Sequence, residues 1–504
     1  MATRGYLGID AGTQGLSVVF TDENMQVLGT GDGVYEMLPG LAEGCYEQQP
    51  SDWEQALLNA MTDLRTKVDD IEVLSIGISG QMHGEVLVGE NNQPLKAARL
   101  WCDARNEDEG QQLTELLGVK MPKRITAARW LWTIRNHADV AAQTKRITTP
   151  GGWLAFCLTG QWNLGIGDCA GMFPIDQQTL DYDQALLAKF DQLAGQGVSS
   201  LADLLPSVRR AGEDAGVLTE AMATKLGLSA GVPVAAAEGD QPASLAGSLI
   251  GQAGMVSVSF GTSVCANSVG DRAFEGVSDT IDHFCDPDGK PINMVFLRNG
   301  TTYMNTVVEM FGQMVDGDRS DAFAKIMPQV VETDADCGGV LALPFIDDEP
   351  GLGVSSGSQA GLFGLNSTNA TPANLVKAAM LATMFNLKLG SETLDKQGFP
   401  RNELVLSGGL TKTPELGQVL ADVFGTTVKL LSGADEGCAW GAALMAKYRS
   451  LRIGGSDLSW ADFLGQQADD NSTKFEPDAK RVEEYAEVYQ SYLELMRKHL
   501  AAAA

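Results

Sequence analysis

The sequence predicts a mixed α/β protein built from two domains of similar design. The chain has 504 residues, more than one compact core normally supports. It begins with a short antiparallel meander pattern and continues with alternating helix and strand patterns, which is typical of a mixed sheet flanked by helices. A strand that runs into Gly-Thr occurs before Gly12 and again before Gly261, half the chain apart. This repetition indicates a duplicated domain pair.

In the first half, strands are predicted from β-branched and aromatic residues bounded by turn formers. They cover residues 6–9, 16–20, 27–29, 73–78 and 232–235. Residues 51–54 read Ser-Asp-Trp-Glu, the spacing of a helix-opening capping box, so a helix is predicted from there to about Leu64.

In the second half, strands are predicted at residues 255–260, 403–406 and 427–431. Thr413 is expected to cap a helix that has Pro414 at its first position. A helix rich in small residues is expected to start near Asp435 and Glu436, and a long amphipathic helix to cover 478–504. The glycine-punctuated segment 247–254 is the expected boundary, which gives domains 1–248 and 249–504.

Composition excludes several function classes. Thirty-six basic and 65 acidic residues give a formal charge of −29, which argues against binding to nucleic acid or an anionic membrane. The eight cysteines form no CxxC pair and only four histidines occur, so neither a zinc site nor a redox dithiol is indicated. No stretch approaches the ~18 apolar residues of a membrane span. We expect a cytoplasmic protein with reduced cysteines.

Two predicted strands end in a carboxylate beside glycine. Residues 8–15 read Gly-Ile-Asp-Ala-Gly-Thr-Gln-Gly. Small residues let backbone N–H groups approach a phosphate chain, and Asp10 can hold Mg²⁺ through water; a hairpin turn with a solvated Asp10 is the alternative. In residues 237–244, Asp240 is placed to act as a general base on a substrate hydroxyl. A helix N-cap is the alternative for Asp240.

Two further turns follow predicted strands. Residues 79–84, Ser-Gly-Gln-Met-His-Gly, offer donors and acceptors suited to sugar hydroxyls, although an ordinary buried histidine is the simpler interpretation of His83. In residues 407–413 a Gly-Gly turn can lie flat against a purine, or can be an ordinary strand–helix connection. Residues 353–357 match the G-x-S-x-G of hydrolases, but the acidic segment before them predicts a loop and not the required buried strand.

Together these segments resemble the FGGY carbohydrate kinases, most nearly the xylulokinases among them, within the superfamily of actin, hexokinase and the heat-shock ATPases. Eight segments match in order, at residues 8–13, 47–53, 80–84, 100–105, 239–240, 242–247, 259–263 and 407–409. The resemblance implies an α/β fold of two duplicated actin-like, ribonuclease H-like domains with a cleft between them. It implies ATP- and Mg²⁺-dependent phosphorylation of a small ketose, and a homodimer, which is usual for such relatives.

The resemblance also implies residue roles. Asp240 would be the catalytic base, and Asp10 would organise the phosphates; both carboxylates would hold Mg²⁺ through water. The implied sugar ligands are Gln81, Met82, His83, Trp101, Asp103, Asp240 and Gln241. The implied ATP contacts are Gly12, Thr13, Gln14, Gly261, Thr262, Gly408, Gly409 and Thr413.

The chain departs from the family pattern in ways that leave the substrate open. Gln241 stands where Asn is common, Gln14 where Ser or Thr is common, and residues 347–351 lack an expected Arg. A Ser-Asp pair is reduced to Gly-Asp at Asp168. D-xylulose is the first expectation, with L-xylulose, ribulose, sedoheptulose or another polyol as alternatives. An actin- or chaperone-like ATPase and a hydrolase built on Ser355 are the competing function classes.

Overall fold

The structure is a computed structural model that describes residues 2–313, 319–431, 437–468 and 472–503. The strands of the first half are β1 (Thr3–Ala11), β2 (Gly15–Asp22), β3 (Val27–Val34), β4 (Glu47–Gln48), β5 (Ile71–Gly80), β6 (Val86–Val88), β7 (Ala98–Arg99), β8 (Arg146–Thr148), β9 (Asn163–Gly165), β10 (Ile175–Asp176), β11 (Asp181–Tyr182), β12 (Ser207–Arg209) and β13 (Glu238–Gly239). Its helices are α1 (Pro50–Lys67), α2 (Glu107–Leu117), α3 (Thr126–Asn136), α4 (Ala138–Gln143), α5 (Pro150–Thr159), α6 (Ile166–Met172), α7 (Gln184–Ala194), α8 (Leu201–Leu204), α9 (Glu220–Leu226) and α10 (Asp240–Gly247).

The second half is built in the same way. Its strands are β14 (Met255–Phe260), β15 (Val264–Val269), β16 (Ile281–Cys285), β17 (Pro291–Leu297), β18 (Leu341–Leu343), β19 (Gly361–Phe363), β20 (Glu403–Gly408), β21 (Thr427–Leu430) and β22 (Thr473–Phe475). Its helices are α11 (Thr302–Gly312), α12 (Arg319–Glu332), α13 (Pro372–Lys396), α14 (Leu416–Phe424), α15 (Gly437–Ile453), α16 (Trp460–Gln467) and α17 (Ala479–Ala503). Short 3₁₀ turns cover Cys337–Gly339, Pro350–Leu352 and Gly409–Lys412.

Two central sheets share one topology. The first has the order β13-β5-β1-β2-β3, with β13, β5 and β1 parallel and the β1-β2-β3 meander antiparallel. The second has the order β16-β17-β15-β14-β20-β21-β22, in which β21, β20 and β14 are parallel and β14-β15-β17 form the antiparallel meander. The predicted α/β fold with duplicated domains is therefore confirmed. The division at residues 248 and 249 stays a prediction.

Several local predictions need correction. Helix α1 begins at Pro50 and is preceded by Gln49, while the Ser51 hydroxyl bonds the Asp52 carboxylate, so no capping box forms; Pro50 has the fixed φ that suits a first helical residue. Thr413 is not a helix cap either, because a 3₁₀ turn precedes it and α14 begins only at Leu416.

The predicted strand at 232–235 is reduced to isolated bridges at Pro233 and Val234, and the strand that joins the sheet is β13. Proline has no N–H to donate to a ladder. The expected helix start at Asp435 and Glu436 lies outside the described residues. The loop predicted around Ser355 is confirmed, since a short 3₁₀ turn at Pro350–Leu352, and not a buried strand, lies directly before it.

Helix α15, from the second half of the chain, packs against the first sheet through glycine. A Cβ on Gly8 of β1 would lie 1.9 Å from the Ala439 carbonyl oxygen, and one on Gly77 of β5 would lie 1.8 Å from that of Ala442. On the helix itself, a Cβ on Gly441 would lie 2.0 Å from the Ala243 oxygen of α10. Backbone meets backbone at all three positions, so no side chain can be accommodated without movement.

The hydrophobic core has separate parts. One buried cluster surrounds the first sheet and another the second, while a third lies between the first sheet, α10, α15 and α16 and contains Trp460 and Phe463. Among the described residues no helix is both long and apolar enough to cross a bilayer.

We expect Gly441→Ala to destabilise the protein, because the added methyl group meets backbone that cannot rotate away. Overpacking of this kind costs about 1–3 kcal/mol or more, which would lower the midpoint of thermal unfolding. Gly465→Ala in α16 is the matched control, since a Cβ there has nothing within 4 Å and Ala is the better helix former. Equal midpoints for the two variants would contradict the close α10–α15 contact.

Candidate functional site

The carboxyl ends of β1, β5 and β13 form one edge of the first sheet. The register pairs Asp10 with Ser79 and Ala11 with Gly80, and β13 pairs its Gly239 with the same Gly80. Asp10 and Asp240 therefore lie at the same edge of the sheet, with β5 between their two strands. At the usual strand spacing their backbones are roughly 10 Å apart. Both acidic residues lie at strand ends, as the sequence predicted. The structure shows that both strands belong to the first sheet.

Asp240 is the first residue of α10, where the nearby backbone N–H groups of Gln241 and Met82 favour its charged form. Burial, followed by the nearby charge of Asp10, raises the pKa of Asp240 to about 7. Burial also raises the pKa of Asp10, and its Oδ1 has no hydrogen-bond partner among the residues that the structure describes. One carboxylate is thus poised to exchange a proton near neutral pH, and the other has an unused acceptor oxygen.

The carboxylate oxygens of Asp10 and Asp240 are ligands of the kind that a hard cation such as Mg²⁺ prefers. Mg²⁺ is usually bound through one or two carboxylates while it keeps several waters and substrate phosphates as its other ligands. Asp10 and Asp240 supply two carboxylates at one edge, and the Asp10 oxygen is buried without a partner in the described chain.

The turn between β1 and β2 holds Gly12, Thr13 and Gln14, and other predicted ligands surround it. Trp101 Nε1 donates to Thr13 Oγ1 at 3.0 Å, and Gln48 Nε2 donates to the Thr13 carbonyl at 2.8 Å. Gln48 Oε1 in turn accepts from Gln81 Nε2 at 2.9 Å. Thr13, Gln81 and Trp101 are therefore brought together, with Trp101 still 41% exposed at the surface of the site.

Met82 and His83 follow β5. The Met82 side chain is buried against Gly239, so only its backbone N–H reaches Asp240. His83 has φ +64°, and its Nδ1 lies 2.8 Å from the Gly171 carbonyl oxygen, to which it can donate. Burial lowers the pKa of His83 to about 3, which keeps the imidazole neutral and able both to donate and to accept.

Asp103 does not face an open space. It is fully buried, and its oxygens accept from Arg105 Nε at 3.0 Å and from the Tyr46 N–H at 3.0 Å. Burial would raise the pKa of Asp103, but the hydrogen bonds from Arg105 and Tyr46 outweigh it and the pKa is lowered. Asp103 thus supports the loop that carries Trp101.

The second sheet contributes two turns at the ends of its parallel strands. Gly261 and Thr262 lie between β14 and β15, where their carbonyls accept from the N–H groups of Thr301 and Gly300, each at 2.8 Å. Gly408 has φ +77°, and a Cβ there would lie 2.7 Å from the Phe260 oxygen, so this turn requires glycine.

A cavity of about 1150 Å³ opens beside the turn at Gly408. Gly409 and Thr413 line it on one side, and apolar residues of α11 and α12, including Met304 and Met327, line it on the other. Thr301, whose hydroxyl donates to the Gly261 carbonyl at 2.9 Å, links the cavity to the β14–β15 turn. The predicted phosphate and nucleotide segments of the second half are therefore adjacent.

The two halves meet at Asp240 and Gln241. Asn267 Nδ2 of β15 donates to Gln241 Oε1 at 3.1 Å, and Cys438 Sγ of α15 lies 3.3 Å from the Asp240 carbonyl oxygen, to which it donates. Nearby, Asp282 of β16 forms ion pairs with Lys120 and Arg124 of the first half. The candidate base is held between the two sheets.

The sequence did not identify some residues that complete this site. Asp168 is fully buried and accepts from the Thr149 hydroxyl at 2.5 Å; burial, to which the charge of Asp240 adds, raises its pKa to about 8. Glu238 accepts from the N–H groups of Gly167 and Asp168. The Gly-Asp remainder of the family's Ser-Asp pair was the signal at Asp168, although no role was assigned to it, whereas nothing local marks Asn267 or Cys438.

Sequence comparisons match the chain over nearly its whole length. A model of the N-terminal domain of the FGGY family of carbohydrate kinases matches residues 5–247, and one of the C-terminal domain matches 256–450. The chain is 27% identical to the xylulose kinase of Haemophilus influenzae, covering 97% of this chain and 98% of that protein. It is 25% identical to the xylulose kinase of Escherichia coli, covering 97% and 100%.

Solved structures show the same fold. The xylulose kinase of Rhodospirillum rubrum matches with a TM-score of 0.82 at 20% identity and covers 98% of both chains. The gluconate kinase of Lactobacillus acidophilus matches with a TM-score of 0.82 at 18% identity and covers 99% of both chains. With both domain models matched in order along it, the chain belongs to the FGGY family of carbohydrate kinases and is a carbohydrate kinase.

Proposed function

We propose that the protein transfers the γ-phosphate of ATP to a hydroxyl of a small ketose, with D-xylulose as substrate and D-xylulose 5-phosphate as product. The observation that carries the proposal is the pair of half-buried carboxylates, Asp10 and Asp240, at the edge of the first sheet where the second half makes contact. The named relatives at 25–27% identity are xylulose kinases, which supports the choice of ketose.

The residues suggest a direct in-line transfer. Asp240, with its pKa raised to about 7, accepts the proton of the attacking hydroxyl. The hydroxyl oxygen forms a bond to the γ-phosphorus while the bond to the β–γ bridging oxygen breaks, and ADP leaves. Neutral His83 and the amide of Gln241 would supply donors and acceptors for sugar hydroxyls. The Gln81 amide is fully buried and donates to Gln48, so Gln81 would support the Thr13 turn instead.

The ATP phosphates would contact the turns at Gly12–Gln14 and Gly261–Thr262, and the adenosine would occupy the cavity beside Gly409 and Thr413. Asp10 and Asp240 would hold Mg²⁺ through water. When bound, Mg²⁺ neutralises charge on the phosphate oxygens.

We expect ADP formation to depend on added sugar, with D-xylulose giving the highest kcat/KM. A coupled ADP assay would compare D-xylulose with L-xylulose, ribulose, sedoheptulose, glycerol and gluconate. Gluconate tests the function of a structural neighbour. Its anionic carboxylate should bind weakly, because Arg124 near His83 is ion-paired with Asp282 and the buried Arg129 donates to the backbone carbonyls of His83 and Trp101. ATP hydrolysis that no sugar stimulates would favour an actin- or chaperone-like ATPase instead.

We expect Asp240→Asn to lower kcat by about 10²–10⁴-fold, because general-base catalysis contributes that much, while ATP affinity measured by calorimetry stays nearly unchanged. Asp286→Asn is the matched control. Asp286 is also buried with a pKa raised to about 7 by burial, but it accepts from Asp288 and Lys290 N–H groups in the β16–β17 turn. Wild-type kcat in Asp240→Asn would exclude it as the base.

We expect kcat/KM to fall as the pH is lowered through about 7. The base must be deprotonated, and the raised pKa of Asp240 means that its active form is lost below that pH and gained above it. A rate profile between pH 5.5 and 8.5 should show a limb of about tenfold per pH unit on the acid side. A flat profile down to pH 5.5 would mean that the base is a carboxylate with an ordinary pKa.

A further inference from the structure

Gln241, the residue after the candidate base, reaches across to the second half of the chain. Its Oε1 accepts from Asn267 Nδ2 at 3.1 Å. Its Nε2 makes no hydrogen bond to any residue that the structure describes, and the side chain remains partly exposed beside Asp240. The amide oxygen is thus occupied by the protein, while the two amide N–H groups are available to a ligand.

The direction of this hydrogen bond is set from β15. Cys265 and Asn267 are two residues apart on one strand and so point to the same face. Cys265 Sγ lies 3.7 Å from Asn267 Oδ1 and 3.9 Å from Gln241 Oε1, and both oxygens can accept from the thiol. A thiol proton that faces the Asn267 oxygen turns the Asn267 NH₂ group toward Gln241, and this NH₂ group in turn selects the Gln241 oxygen.

We propose that Asn267 is a positioning residue, which orients the Gln241 amide so that its N–H groups donate to the sugar beside Asp240. The inference rests on the proposed function and adds a specificity determinant to it. It selects substrates that present an acceptor, a carbonyl or hydroxyl oxygen, at this point. Gln is one methylene longer than Asn, and this length lets the residue contact β15 and the substrate together.

Asn267 also ties sugar recognition to the phosphate side of the cleft. Strand β15 begins directly after the turn that carries Gly261 and Thr262, and Asn267 is 5% exposed within its ladder, paired with Ser257 and Met294. The residue that orients Gln241 is therefore fixed to the hairpin that is proposed to hold the ATP phosphates.

A double-mutant cycle with Asn267→Leu and Gln241→Met, both close to isosteric, tests the inference. Asn267→Leu should raise the KM for the ketose about 3- to 10-fold, the usual worth of one hydrogen bond, and leave the KM for ATP unchanged. In the Gln241→Met background, Asn267→Leu should have no further effect, because its action passes through the amide. Ser268→Ala, on the opposite face of β15, is the control and should match the wild type.

Fold-changes that multiply in the double variant would overturn the inference, since they would show that Asn267 acts independently of Gln241. An unchanged ketose KM in Asn267→Leu would do the same. Thermal unfolding midpoints check folding; if Asn267→Leu does not fold, Cys265→Ala should raise the ketose KM in the same direction and Cys265→Ser should not. If the wild-type enzyme phosphorylates no ketose, the proposed function itself fails. That outcome differs from an active wild type in which the fold-changes of the two substitutions multiply, which would overturn only the role of Asn267.

Discussion

The parallel pairing of β1, β5 and β13 is the constraint on which the site depends. Parallel strands end at the same edge of a sheet, so this pairing places Asp10, the Met82–His83 turn and Asp240 side by side although they are up to 230 positions apart. Helices α10 and α15 pack beside these strands, and only part of Asp10 and of Asp240 reaches solvent at this edge. Burial, before any neighbouring charge, raises the pKa of Asp240.

The second half of the chain does more than supply a matching domain. Helix α15 packs directly on the first sheet, and this approach depends on glycine at positions where any Cβ would meet backbone. Interior helix glycine costs roughly 1 kcal/mol relative to alanine, so Gly441 is unfavourable for the isolated helix. The contact it permits places the first turn of α15, with Cys438, against Asp240. The close packing of α15 on the first sheet therefore also fixes the surroundings of Asp240, the candidate base.

Sequence patterns located the main strands of both sheets and their strand-end turns, because alternation and turn chemistry are local, but they wrongly predicted a strand at residues 232–235. They failed at helix starts, where several local choices compete: Pro50 displaced the expected cap at Ser51, and a 3₁₀ turn took the place of the cap at Thr413. They could not place α15 on the first sheet or bring Asn267 to Gln241. Those contacts join residues far apart in the chain, and one sequence carries no direct record of them. The oxygens of Asp103, an expected sugar ligand, accept from Arg105 and Tyr46 within the protein, and its contact with a sugar stays a prediction.

Charge distinguishes substrates that the fold does not. A xylulose kinase and a gluconate kinase match this structure equally well, with a TM-score of 0.82 for each. Recognition of a sugar acid calls for a cation free to pair with its carboxylate. Near His83, Arg124 is ion-paired with Asp282, and the buried Arg129 donates to the backbone carbonyls of His83, Leu100 and Trp101. His83 itself is held neutral by burial. The Gln241 amide N–H groups and the neutral imidazole of His83 remain for a ligand, which supports the proposal of an uncharged sugar as substrate.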